Sequence, residues 1–239
     1  MNKLKTKGNN PGHDEEKNTT VNRRLFLRSA GLATSMGTII LSACNDDDPD
    51  PMIPGTGDTV DLGSGDIGVL NYAYALEQLE AAFYTQVIAT PYAGMTDAEK
   101  TILTDIRDHE IIHRDFFKTA LGSKAIKGLT PNFSTIDFTK RDAVLGAAKL
   151  FEDTGVAAYN GAGRLIKDTG YLLLAGKIVS VEARHAAVIR DLINPKSADF
   201  AGDDVVNADG FDKAVPPADI LAAVKAYVKD SVTGANVGK

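Results

Sequence analysis

Two stretches of the 239-residue chain set a carboxylate and an imidazole one helical turn apart. RDHEIIHRDFF carries Glu110 and His113, and VSVEARHAAVIRDL carries Glu182 and His185. Side chains three positions apart share a helix face. That face otherwise reads apolar: Leu103, Ile106 and Phe117 flank the first pair, and Ala175, Ile178, Ile189 and Leu192 flank the second. An ionised carboxylate in a core position is costly unless it is paired or binds a metal.

Two more apolar stripes each hold a lone glutamate. One reads Leu70, Tyr74, Glu77, Ala81, Tyr84, Ile88; the other reads Leu145, Ala148, Glu152, Gly155, Tyr159, Ile166. In each, a tyrosine follows the glutamate by two turns on the same face. The order is therefore an internal echo: Glu77 with Tyr84, then Glu110-x-x-His113; Glu152 with Tyr159, then Glu182-x-x-His185. A single Glu/His pair occurs on many exposed helices and says little. Two pairs alternating with two lone core glutamates say much more. Four carboxylates neutralise two divalent cations, and carboxylates with imidazoles suit first-row transition metals held close enough to share a bridging ligand.

Glu80 stands one turn after Glu77 with an apolar stripe of its own, Ala73, Leu76, Phe83 and Val87, and is the alternative ligand from this helix. The interval to Tyr84 and the echo in the third helix favour Glu77, which makes Glu80 a neighbour of the ligands or a surface residue. Tyr84 and Tyr159 read as core fillers that bond a nearby carboxylate. His109 lies off the stripe and reads as exposed or as a neighbour of the site, not a ligand. Arg114 and Arg184 flank the two histidines and are expected to orient acidic neighbours through ion pairs.

Four long stretches of helical period must position these groups: about Ile67–Ala89, Asp97–Leu121, from after Thr139 to about Asp168, and Tyr171–Leu192. Thr96 with Glu99 forms a capping-box signature ahead of the second. Asn194-Pro195 stops the fourth, and a Gly170 break precedes it. GSKAIKGLTPNFSTIDF is a long connection between helices two and three, and PPADILAAVKAYVKDSV suggests a short fifth helix opened by Pro217. No stretch alternates convincingly as a strand. The expected class is all-α, an antiparallel four-helix bundle over 67–193 with a C-terminal extension over 194–239.

The N-terminal region is of another kind. VNRRLFLRSAGLATSMGTIILSAC has Arg23 and Arg24 ahead of an apolar run too short and too interrupted by Gly and Ser to span a membrane. RRLFLR resembles the twin-arginine export signal, and LSAC resembles the lipobox in which Cys44 becomes the acylated first residue. Residues 1–43 are expected to be the signal peptide and 44–66, rich in Asp, Gly and Pro, a flexible acidic linker. Cys44 is the only cysteine, so no disulfide forms within the chain. Without residues 1–43 the chain keeps 19 basic and 29 acidic residues, a net charge of −10 that argues against nucleic acid as a partner.

The Glu and Glu-x-x-His pattern resembles the ferritin-like superfamily over roughly residues 67–193. LEQLEAAFYTQ, residues 76–86, is similar to the exported ferritin-like-domain proteins related to plant desiccation-induced ones. The resemblance implies a dinuclear iron site, or a manganese or mixed Mn/Fe pair, on Glu77, Glu110, His113, Glu152, Glu182 and His185. The expected function is a lipid-anchored envelope protein, on the periplasmic side or the outer surface, that oxidises Fe(II) or consumes dioxygen or peroxide. The alternative is a bundle that binds metal without turnover and protects the envelope under stress. A closed iron-storage shell fits poorly with a lipidated N-terminus on a long tether.

Overall fold

The computed structural model describes residues 59–239. Arg23, Arg24 and Cys44 lie outside the described residues. Four helices of 23 to 25 residues dominate: α1 (Gly65–Ala89), α2 (Asp97–Leu121), α3 (Arg141–Gly163) and α4 (Thr169–Ile193). A short α5 (Pro217–Val224) follows in the C-terminal extension, and β1 (Val60–Asp61) pairs in parallel with β2 (Val232–Thr233). Among the described residues no helix is long and apolar enough to cross a membrane.

The helix ends follow local chemistry. Thr96 and Glu99 make the full capping box, the Thr96 hydroxyl accepting from the Glu99 amide while the Glu99 carboxylate accepts from the Thr96 amide. The other Glu99 oxygen accepts from Arg141 Nε at 2.7 Å, which ties the start of α2 to the start of α3. α3 ends at Gly163, five residues earlier than its apolar period suggests. Asp168 then caps α4 by accepting from the Tyr171 amide, so Gly170 lies in the first turn of α4 and is not a break. Asp66 accepts from the amides of Lys167 and Asp168 and holds this tight turn against the start of α1.

α1 is the central element. Its buried residues run almost all the way round, from Gly68 to Val87, because α2, α3 and the long connection cover it on several sides. The connection supplies Phe133 and Phe138, which pack on Phe83; Phe83 meets Phe151 edge-on at 5.0 Å, and Phe151 meets Tyr227 at 4.9 Å. This aromatic wall closes one side of the bundle interior, and edge-on pairs of this kind add to the area they bury.

Three of the joints that bind the C-terminal extension back onto the folded unit show how this is done. Val215 crosses α3 directly over Gly161, its amide donating to the Ala157 carbonyl at 3.0 Å; a Cβ at 161 would collide with the Val215 carbonyl, so only glycine permits this crossing. Arg190 is buried at 3% exposure and holds Asp153 and Asp204 through paired hydrogen bonds, and it also donates to the Asp199 carbonyl. The bidentate fork of a guanidinium suits this joint, which links α4, α3 and the extension. The β1–β2 pairing is the third. It corrects the linker boundary: residues 59–66, assigned to the linker from composition, belong to the folded unit, where Leu62 is fully buried and Val60 pairs with Val232.

Candidate metal centre

Each of the four long helices delivers the residues that its apolar stripe singled out. Glu77 of α1, Glu110 of α2, Glu152 of α3 and Glu182 of α4 are all fully buried, and His113 and His185 are 9% and 4% exposed. Two overlapping groups result. Glu77, Glu110, His113 and Glu182 can each offer a donor atom within 4.8 Å of the others, and so can Glu110, Glu152, Glu182 and His185. Glu110 and Glu182, the glutamates of the two Glu-x-x-His turns, belong to both.

The contacts have the geometry of a cation site more than of a hydrogen-bonded cluster. His113 Nδ1 lies 2.9 Å from Glu182 and 3.5 Å from both Glu77 and Glu110. His185 Nδ1 lies 2.8 Å from Glu110, 3.5 Å from Glu152 and 4.0 Å from Glu182. Yet both nitrogens, both oxygens of Glu110, both of Glu182, and one each of Glu77 and Glu152 lack a properly directed hydrogen-bond partner. The large majority of buried polar atoms in folded proteins are paired. Eight unpaired atoms converging from six side chains on two adjacent points are the arrangement that metal ligands leave. Oxygen and imidazole donors in this number fit a first-row transition metal.

The remaining oxygens of the lone glutamates are held crosswise. Tyr84 of α1 donates to Glu152 of α3 at 2.5 Å, and Tyr159 of α3 donates to Glu77 of α1. Both tyrosines thus do what core tyrosines near a carboxylate do: each orients one oxygen and leaves the other turned inward.

Glu80 narrows the reading from sequence. It is a buried neighbour of the cluster and not a surface residue, inside together with Glu77: Glu80 is 3% exposed and feels the charge of all four other glutamates. Because α1 is covered on so many sides, two glutamates one turn apart both reach the interior. The room for Glu80 comes from Gly155 across the site; a Cβ there would stand 3.1 Å from Glu80 Oε1 and 3.6 Å from Glu182 Oε2. The cavity therefore holds a fifth carboxyl.

Charge is distributed unevenly among these groups. Burial raises Glu182 and Glu80 well above the carboxylate range, with the neighbouring carboxylates adding to it, and pushes Glu77 up to about 7 against the pull of His113. Burial also raises Glu152, opposed by His185. Burial works against the charge on Glu110, but His113 and His185 outweigh it and hold the group down at about 2. Burial likewise works against charge on both histidines, yet their carboxylate neighbours raise His113 strongly and bring His185 up to about 10. Protons on the two imidazoles thus stand where cations would, and a cation that takes Nδ1 must displace them.

Two residues beside the site behave differently from the sequence reading. Arg114 pairs with its exposed neighbour Asp115 and touches no glutamate of the cluster, and Arg184 is exposed without an ion pair among the described residues. Neither orients the site. His109, by contrast, reaches it: its Nδ1 lies 2.9 Å from His185 Nε2. The signal was present in the spacing, since His109 precedes His113 by four residues and so shares its side of α2.

A search of curated proteins found no match. The family model described as a ferritin-like domain matches residues 65–195, a span that holds all four long helices and every residue of the cluster. With that match over more than half its length, the chain belongs to the ferritin-like domain family.

Proposed function

We propose that this protein is a lipid-anchored envelope protein whose bundle holds a dinuclear iron centre and uses it to oxidise Fe(II) or to consume dioxygen or peroxide. The observation that carries this reading is the convergence of buried, unpartnered donor atoms on two adjoining points. Glu110 and Glu182 would serve both ions, with Glu77 and His113 completing one position and Glu152 and His185 the other. A manganese pair or a mixed pair would use the same donors. Once bound, such ions supply redox chemistry and polarise an oxygen species. With one atom from each residue, each position has four protein donors. An ion held by these residues that keeps a position free of protein donors would offer it to a small oxygen ligand, which is what turnover requires. Tyr84 and Tyr159 keep the terminal carboxylates turned inward, while the aromatic wall around Phe83 and Phe151 keeps bulk water out.

The test is consumption of dioxygen or peroxide by protein loaded anaerobically with Fe(II), compared with the same Fe(II) free in buffer. Several turnovers per centre are expected. A loaded protein that consumes neither faster than free Fe(II) would make the non-catalytic, metal-holding bundle the better reading.

The envelope location rests on the N-terminal motifs, Arg23 and Arg24 within RRLFLR and Cys44 within LSAC. An acylated Cys44 would be joined to the domain by about fifteen residues of acidic, Gly- and Pro-rich chain. Replacing Cys44 by Ser is expected to move the protein from the membrane fraction to the soluble one, or to leave it unprocessed. Unchanged membrane retention of a processed variant argues against the anchor.

A further inference from the structure

The two cation positions have matching donors, yet only one of their histidines is supported from behind. His185 turns Nδ1 to the carboxylates and Nε2 to His109 Nδ1 at 2.9 Å. The two rings are inclined by only 10° with centroids 5.2 Å apart. That separation matches the nitrogen–nitrogen distance plus the two ring radii, so the imidazoles meet edge to edge in nearly one plane. This is the geometry of a direct N–H···N hydrogen bond along the ring axes, not of face-to-face packing. It joins α2 to α4 beside the cluster. His113 has no such support: among the described residues its polar contacts all run through Nδ1, and its side chain is 11% exposed against 5% for His185.

We propose that His109 is a positioning residue that makes the cation position at His185 the tighter of the two. This rests on the metal-binding reading above. With His185 Nε2–H donating to His109 Nδ1, the Nδ1 lone pair of His185 faces the cation position and the ring cannot turn away. A donor bond on the far nitrogen also raises the basicity of the ligating one. The His113 position, without this support and more open to solvent, is the one whose ion exchanges.

The experiment is anaerobic titration of the metal-free protein with Fe(II), followed by calorimetry, for the parent and for His109→Leu and His109→Asn. Leucine fills the space without an acceptor; asparagine returns an acceptor oxygen near the place of Nδ1. The parent is expected to bind two ions with unequal affinity. His109→Leu should weaken the tighter step by about 10- to 100-fold and bring the two steps together, and His109→Asn should recover most of the loss. A second comparison isolates the position: in a His113→Ala background, which leaves the His185 position intact, the remaining ion should still depend on His109. Leucine and asparagine variants that bind both ions as the parent does would overturn the proposal, and so would equal weakening by both, which is what a packing role gives. A parent that takes up no Fe(II) at all is a separate result, and it removes the metal reading beneath the proposal too.

Discussion

Loading the metal-free protein with Fe(II) under anaerobic conditions near pH 7.5 is expected to raise its melting temperature by roughly 10–20 °C. Each ion at a hundred times its dissociation constant contributes about 2.7 kcal/mol by mass action, and a domain of this size gains ~2–4 °C per kcal/mol. The gain should shrink markedly near pH 5, for reasons that act on both states. In the metal-free fold, Glu77, Glu80, Glu152 and Glu182 hold protons more tightly than they would in the unfolded chain. Groups of that kind favour the fold at low pH and lose that contribution as pH rises, for Glu77 between 4.5 and about 7. His185 follows the same sign higher up: its contribution is complete below 6.5 and is lost as pH rises through about 10. Glu110 alone among the five runs the other way, stabilising above 4.5 and losing that contribution as pH falls toward 2. The metal-free bundle should therefore melt higher at pH 5 than at pH 8. Metal binding has the opposite slope, because each ion displaces protons and is held more tightly as they become scarce. Melting curves with and without chelator across this range measure both slopes. Equal melting temperatures for loaded and metal-free protein at neutral pH, with no Fe(II) bound, would leave a structural bundle.

The second large effect separates the shared carboxylates from the terminal ones. Glu110 and Glu182 belong to both donor groups, whereas Glu77 and Glu152 belong to one each. Replacing Glu110 and Glu182 together by Gln should abolish uptake of both ions, and replacing Glu77 or Glu152 alone should leave about one ion per chain by elemental analysis. The two shared positions should also part company in the metal-free state. Burial and the neighbouring carboxylates force Glu182 to take up a proton at neutral pH, so Glu182→Gln, neutral already, removes that cost and should raise the metal-free melting temperature. Glu110 is the carboxylate on which both imidazoles lean, so Glu110→Gln leaves buried cations poorly paired and should lower it. If the double variant still binds two ions, the assignment of shared ligands is wrong.

Much of this cluster is legible in the amino-acid sequence. A glutamate in an apolar stripe is rare enough to be informative, and the stripes placed Glu77, Glu110, His113, Glu152, Glu182 and His185 on four facing surfaces. Helical period is a local property, set by which positions meet solvent and which meet the neighbouring helix, and it survives in the sequence. The capping box at Thr96 and the role of Pro217 were readable for the same reason: each involves residues within one turn of each other.

What period could not settle was how completely each helix is covered. The interval to Tyr84 and the echo in the third helix leave open whether Glu80 is buried, but α1 is covered nearly all round, and the space for Glu80 is supplied by Gly155, 75 positions further along the chain. The Arg190 joint with Asp153 and Asp204, the crossing of Val215 over Gly161, and the pairing of Val60 with Val232 are of the same kind. So is the bond from His109 to His185, which spans 76 positions. The residue types and their spacing by themselves determined that this chain builds four helices with acidic inner faces, two of which also carry an imidazole. Only the tertiary structure decided that a fifth carboxyl enters the cavity and that one histidine is supported from behind. The reason is physical: those facts depend on which distant segments meet, and no local period in the sequence encodes that meeting.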